Sequence, residues 1–309
     1  MEARVWGCRG SVATPGPDTV RYGGNTSCVE VRLADDSVVV LDAGTGIRPL
    51  GIELESEAVD EIHLLLSHLH LDHLQGLGFF RPLFNPSVRV HIWGPPSPVE
   101  SLEQRIAQYL SPPLFPVRLA DIPAEITFHD APDEPVTIGS AEMIASLVTH
   151  QGPTVGYRIE ESGRSIAYMP DHEPSLGVDL AELSPSWISG NMLAHGVDVL
   201  FHDAQYADEE YPDHVGWGHS SISQVVEFAR KAQVDHLVLF HHDPHHDDDH
   251  LDALARVATD LMAGGCRLLS LAREGMRLTV GATSAASASS PASPASPSSP
   301  ASAASPDGP

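Results

Sequence analysis

The hexapeptide His68-Leu69-His70-Leu71-Asp72-His73 restricts what this chain can fold into more than any other stretch. It follows an apolar run, Ile62-His63-Leu64-Leu65-Leu66, that reads as a buried strand, and Gly76 stands three residues beyond it. Three imidazoles and a carboxylate gathered where a strand stops are costly to a fold unless something binds them. His68 and His70, two apart in extended chain, point the same way; Asp72 and His73 follow where the chain turns, and face a second ion. Neutral imidazole with carboxylate suits zinc, and also manganese or iron, better than magnesium or calcium, which take all-oxygen shells. The motif therefore supplies half of two metal sites.

On these residues the chain resembles the metallo-β-lactamase superfamily, whose hallmark is HxHxDH, and the resemblance runs through most of the first 280 residues. It implies an α/β fold, an αββα sandwich of the metallo-β-lactamase type, with the metal site at one edge. It also implies where the remaining ligands lie. His150 ends an apolar strand before Gln151-Gly152-Pro153 and matches the third imidazole of the first metal. Asp171 follows the strand Ser165-Ile166-Ala167-Tyr168-Met169, stopped by Pro170, where the family places a carboxylate bridging both ions. His241, delivered by Leu237-Val238-Leu239-Phe240, matches the last imidazole and is preferred to His242. His242, His245, His246 and His250 read instead as a solvated, acidic loop and the start of a helix. The implied shell is His68, His70 and His150 on one ion and Asp72, His73 and His241 on the other, with Asp171 and a water between. Asp42, in Asp42-Ala43-Gly44-Thr45-Gly46, is implied as a prop of the metal loop rather than a ligand. A bridging carboxylate in place of a thiolate argues against a lactamase that uses cysteine as a ligand.

Two ions roughly 3.5 to 4 Å apart lower the pKa of a bridging water and stabilise an in-line phosphoryl displacement, so hydrolysis through a metal-bridged hydroxide is the expected chemistry. Asp72, next to that nucleophile, is a candidate base. Protonation of the leaving group falls to a second pair. Asp203, ending the strand Val199-Leu200-Phe201-His202, and His219, in Gly216-Trp217-Gly218-His219-Ser220-Ser221, resemble the acid-and-histidine relay of the tRNA-processing and cyclic-phosphate branches of the family. In that resemblance His219 is the general acid and Asp203 its orienter. The leading expectation is a phosphodiesterase acting on a small cyclic nucleotide or cyclic phosphate. The alternatives are a tRNA 3′-end endonuclease, a glyoxalase-type thioester or lactone hydrolase, and a metal-binding sensor without turnover.

Composition weighs on these choices. Seventeen Lys and Arg face 42 Asp and Glu, a formal net charge of −25. So acidic a chain repels phosphate backbones at long range and lacks a basic arm, which disfavours nucleic-acid substrates. Cys8, Cys28 and Cys266 are odd in number and far apart, without a CxxC pair, which fits a reducing compartment. The first residues lack the apolar core of a signal peptide, and no run of 18 apolar residues offers a membrane span. The expectation is a cytoplasmic protein with no membrane partner, and a homodimer is left open. Residues 1–281 read as one hydrolase domain, and residues 282–309, almost all Ala, Ser and Pro, as a disordered tail. Among the elements, a helix is expected to open near Ser97 and run to Leu110. Phe79, Phe80 and Phe84 with Leu114 and Phe115 are read as either a substrate wall or ordinary packing.

Overall fold

The computed structural model describes residues 1–262 and 266–280. The tail expected over 282–309 lies outside the described residues, as does its boundary with the hydrolase domain.

Runs of β-branched and aliphatic residues form two sheets, each of seven strands among the described residues. The first orders β14 (Arg277–Thr279), β1 (Glu2–Gly7), β2 (Cys28–Arg32), β3 (Val38–Leu41), β4 (Glu61–Leu65), β5 (Arg89–Gly94) and β6 (Glu125–Asp130). The second orders β13 (Leu268–Leu271), β12 (His236–Phe240), β11 (Val199–Asp203), β10 (Arg164–Met169), β9 (Val155–Glu161), β8 (Ala141–Leu147) and β7 (Val136–Ile138). Each sheet is antiparallel on one side and parallel on the other: β3 to β6 run parallel, as do β10 to β13. Parallel strands are covered on both faces, which is why Val38-Val39-Val40-Leu41 is buried throughout.

Three apolar clusters separate four layers. Val29, Val31, Leu65, Tyr157, Ile159, Phe201 and Phe240 pack between the sheets. Leu50 and Leu54 of α1 (Ile47–Glu57) and Ile106 of α3 (Leu102–Tyr109) cover the outer face of the first sheet. Val225, Phe228 and Ala229 of α5 (Ile222–Lys231) and Leu251 and Ala258 of α6 (Asp248–Leu261) cover the second. This is the expected αββα sandwich. The short α2 (Leu71–Leu74) carries Asp72 and His73, and the short α4 (Asn191–Ala194) adds Leu193 and Ala194 to the cluster over the second sheet. No described helix is long and apolar enough to cross a membrane.

Two local expectations are corrected and one open alternative is narrowed. α3 opens at Leu102, not near Ser97, because Ser101 is the better cap: its side chain accepts from Gln104 N while Gln104 reaches back to Ser101 N. The strand before His150 ends at Leu147, leaving His150 on the loop beyond. Of the aromatic set, Phe80 and Phe115 belong to the outer core, whereas Phe79, Phe84 and Leu114 are exposed.

Candidate dinuclear metal centre

Loops leaving the carboxyl ends of parallel strands in both sheets meet at one rim, the usual place for a ligand in such folds. β3 delivers Asp42, β4 leads into His68, β10 into Asp171, β11 ends in Asp203 and β12 leads to His241. β8 contributes His150 from the antiparallel side.

Two four-membered groups of donors result, each with its donor atoms within 4.8 Å of one another, His68, His70, His150 and Asp171, then Asp72, His73, Asp171 and His241, and a smaller set at the same rim, Asp203, His219 and His241, adjoins the second. Asp171 faces both. Its Oδ2 lies 3.6 Å from His68 Nε2 and 3.7 Å from His150 Nε2; its Oδ1 lies 2.9 Å from His73 Nε2 and 3.3 Å from His241 Nε2. His150 Nε2 is 3.2 Å from His70 Nδ1. In the second group Asp72 Oδ2 stands 3.2 Å from both His73 Nε2 and His241 Nε2. Donors about 2.0–2.1 Å from a tetrahedral zinc ion stand roughly 3.3 Å apart, close to these separations.

The rings are aimed by what touches their other nitrogen. His73 Nδ1 donates to Asp42 Oδ2 at 2.7 Å, His150 Nδ1 to the Gly218 carbonyl at 2.8 Å, and His241 Nδ1 to Gln205 Oε1 at 3.0 Å. Gln205 cannot turn its amide over, because its NH₂ donates to Asp243 Oδ2. Ser67 Oγ spends its proton on Asp42 Oδ2 and so accepts from His68 Nδ1 at 3.1 Å. Each such ring therefore presents a bare lone pair inward. His68 Nε2 is buried with no hydrogen-bond partner among the described residues, and His73 Nε2 faces Asp171 Oδ1 at 2.9 Å. A buried lone pair with no donor, beside an ionised carboxylate, is a setting that a bound cation would complete.

Electrostatics agree. Burial raises the pKa values of Asp72 and Asp171, but the surrounding imidazoles, His73 on Asp72 and His241 and His73 on Asp171, lower them further, so both stay ionised. Burial lowers the pKa values of His68, His70 and His150, keeping them in the neutral, ligating form. His73 is the exception: burial opposes its charge, yet Asp171, Asp72 and Asp42 raise its proton affinity well above normal. Three carboxylates there demand positive charge, and a divalent ion supplies it. The residues present thus fit two metal ions.

Several neighbours hold the ligands in place. Asp42 accepts from Ser67 N, Ser67 Oγ, His73 Nδ1 and Tyr168 Oη, the role of a prop. Asp42 and His241 both occupy the left-handed region, at φ 62° and 59°, a strain of order 1–3 kcal/mol each that the packed rim must offset. Gly10 is obligatory: a Cβ there would lie 2.4 Å from the His241 ring. Ser11 N, next along, donates to Asp72 Oδ2 at 2.8 Å.

At the margin of the centre, His219 Nδ1 donates to Asp203 Oδ2 at 2.6 Å and lies 4.0 Å from Asp171 Oδ2. Asp203 is itself fixed, its Oδ1 accepting from Gln205 N and Ser220 N at 3.0 Å each. All nine residues singled out in the sequence, His68, His70, Asp72, His73, His150, Asp171, Asp203, His219 and His241, thus converge on one rim.

The profile of the beta-lactamase superfamily domain matches residues 38–242. The chain belongs to the metallo-β-lactamase superfamily. Among relatives of this superfamily hydrolase, an uncharacterized protein of Mycobacterium tuberculosis (strain ATCC 25618 / H37Rv) is 31% identical over 247 residues, covering 78% of this chain and 80% of that one. A ribonuclease Z of Mycobacterium sp. (strain KMS) is 28% identical over 258 residues, covering 75% and 81%. The metallo-beta-lactamase fold protein YhfI from Bacillus subtilis superposes with a TM-score of 0.64 at 18% identity, over 90% of this chain and 99% of that one. A diphosphatase from the PhnP family does so with 0.63 at 22%, over 90% and 97%. These two likenesses speak to the metallo-β-lactamase fold alone.

One reading of the His-rich loop is overturned. His242 and His246 are buried, not solvated: His242 Nε2 donates to the Ala272 carbonyl at 2.8 Å, and His246 Nε2 pairs with Glu210 at 3.0 Å. The cause is Arg9, wholly buried, whose guanidinium donates to the carbonyls of Gly23, Asp243 and His246 and draws the loop inward. Gln205 and Glu173 are supports that sequence reasoning missed. Gln205 stands two residues after Asp203 with nothing in the sequence to give it a role, and Glu173 carried no signal at all.

Proposed function

We propose that this superfamily hydrolase is a dinuclear zinc phosphodiesterase acting on small cyclic nucleotides or cyclic phosphates. The observation that carries the reading is the Asp203–His219 pair beside the carboxylate shared by both donor groups. Two divalent ions, when bound, polarise phosphoryl oxygens and make a water acidic enough to attack at neutral pH. What the chain must add is a proton for the departing alkoxide. Nδ1 of His219 is committed to Asp203, which leaves Nε2 as the donor. Burial alone would lower its pKa, but Asp203 foremost, with Asp171 and Asp72, raises it to about 9, so the ring carries that proton at neutral pH. A thiolate leaves without protonation, so the thioester alternative gives the pair no task. Zinc is the metal we infer, from a donor set of imidazoles and carboxylates. Buried free Cys8 and Cys28 support a reducing, cytoplasmic setting.

A tRNA 3′-end endonuclease is the second reading, favoured by the relatives named ribonuclease Z. The net charge of −25 opposes it.

A panel of cyclic mononucleotides, bis-p-nitrophenyl phosphate, a thioester and a precursor tRNA, offered to the zinc-loaded full chain, separates these readings. Turnover is expected on the cyclic nucleotides. His219→Ala should lower kcat for alkoxide leaving groups by roughly 10²- to 10⁴-fold while largely sparing p-nitrophenolate, which departs unaided. The protonated ring is lost as pH rises through its pKa, and bound cations pull that pKa below about 9. Alkoxide turnover should therefore show an alkaline limb at or below about pH 9 that His219→Ala lacks. Equal losses on both leaving groups, or cleavage of precursor tRNA alone, would overturn the reading.

A further inference from the structure

Two residues past the bridging Asp171 stands Glu173, a carboxylate with no solvent exposure and no part in either donor group. The bonds of its side chain go to the loop that carries His219. Its Oε1 accepts from Tyr211 Oη at 2.6 Å and from Gly216 N at 3.0 Å; its Oε2 accepts from Gly218 N at 2.8 Å and from Gly216 N at 3.1 Å. Gly216 and Gly218 take φ of 85° and 90°, left-handed conformations that let alternate amides of one loop turn onto one carboxylate. The backbone of Glu173 is anchored as well, its N–H donating to Thr149 O at 2.9 Å, just before His150.

The tethered loop has two outputs. One is His219, the residue after Gly218. The other is the Gly218 carbonyl, which accepts from His150 Nδ1 at 2.8 Å and so leaves His150 Nε2 bare for the first donor group. Loop and ring are in close contact: a Cβ on Gly218 would lie 2.3 Å from His150 Nδ1. The three consecutive residues Asp171, His172 and Glu173 thereby serve three parts of the site. Asp171 faces both donor groups, the His172 amide donates to Asp203 Oδ2 at 3.3 Å, and Glu173 grips the loop.

We propose that Glu173 is a positioning residue that sets, through the Gly216–Gly218 amides, both the placement of the acid His219 and the aim of the metal ligand His150. The His219 half rests on the phosphodiesterase reading above; the His150 half does not. Losing the carboxylate frees the loop, moves the His219 ring away from the leaving group and withdraws the carbonyl behind His150.

The test uses the zinc-loaded full chain with Glu173→Gln, which keeps size but sets an NH₂ against an amide donor, and the milder Glu173→Asp, which carries the test if the first does not fold. Two quantities are read: the ratio of kcat for an alkoxide to kcat for a p-nitrophenolate leaving group, and the rate of zinc transfer to a chelator. Glu173→Gln should lower the kcat ratio about 10-fold or more, with Glu173→Asp between it and the parent. One of the two zinc ions should be weakened about 10- to 100-fold, the usual range for loss of a partner behind a ligand, and leave correspondingly faster. A purely structural role would lower melting temperature and cut both substrates equally, with zinc release unchanged, and that result overturns the proposal. Unchanged zinc release with a reduced ratio overturns the coupling to His150. If the parent hydrolyses no phosphodiester, the function proposed above fails, and the zinc arm alone still decides the His150 half.

Discussion

Asp42 belongs to neither donor group, yet it takes four hydrogen bonds and decides which nitrogen of His73 faces inward. Replacing it by Asn sets an amide NH₂ against donors, so one of Ser67, His73 or Tyr168 loses its acceptor. Asp42→Asn should weaken the second metal, held through His73 directly, by about 10- to 100-fold, and the first, reached only through Ser67 and His68, by less. A competition titration with a zinc chelator reads both sites, and equal weakening of the two would refute the assignment. At this scale the sequence is most legible where ligands are neighbours: His68, His70, Asp72 and His73 declare themselves by spacing. His150, Asp171 and His241 needed the family resemblance, since a single His or Asp at a strand end has many uses. Gln205 was not legible, because its contact with His241, 36 residues away, exists only through the pairing of β11 with β12.

Strand ends explain the element scale. Apolar runs at 38–41, 61–65, 165–169, 199–203 and 236–240 are readable from the sequence, and their shared direction brings their ends to one rim. Less readable were β7, β9, β13 and β14, whose alternating or short patterns carry little signal. Nor was the burial of His242 and His246 readable, since Arg9 comes from 233 and 237 residues away along the chain.

One further element-scale feature is His63 on β4, stacked on His91 of β5 with ring centroids 4.7 Å apart. Burial, then the adjacent His91, lowers its pKa from the ordinary 6.5 to about 4. The unfolded chain therefore binds a proton there between about pH 6.5 and 4 that the folded chain does not, so stability falls as pH drops through that window. His63→Gln should make the loss of stability between pH 7 and pH 5 smaller than in the parent, read as urea midpoints at the two values. An identical loss in both proteins would contradict this placement.

Over the whole molecule, two half-parallel sheets face each other with matching strand order, and the site belongs to neither alone. His68, His70, Asp72 and His73 come from the first sheet, His150, Asp171 and His241 from the second, so folding of both is needed before either metal has its full set. The formal net charge of −25 sets the rim in a field that favours cations. The central claim is that two ions are required together. Its most direct measurement is stepwise zinc titration of metal-free protein while hydrolysis of a cyclic mononucleotide is followed. Activity is predicted to stay low through the first equivalent, rise with the second, level off near two ions per chain, and vanish in the His68→Ala, His70→Ala double variant. Full activity at one ion per chain, or turnover in the metal-free protein, would contradict the account.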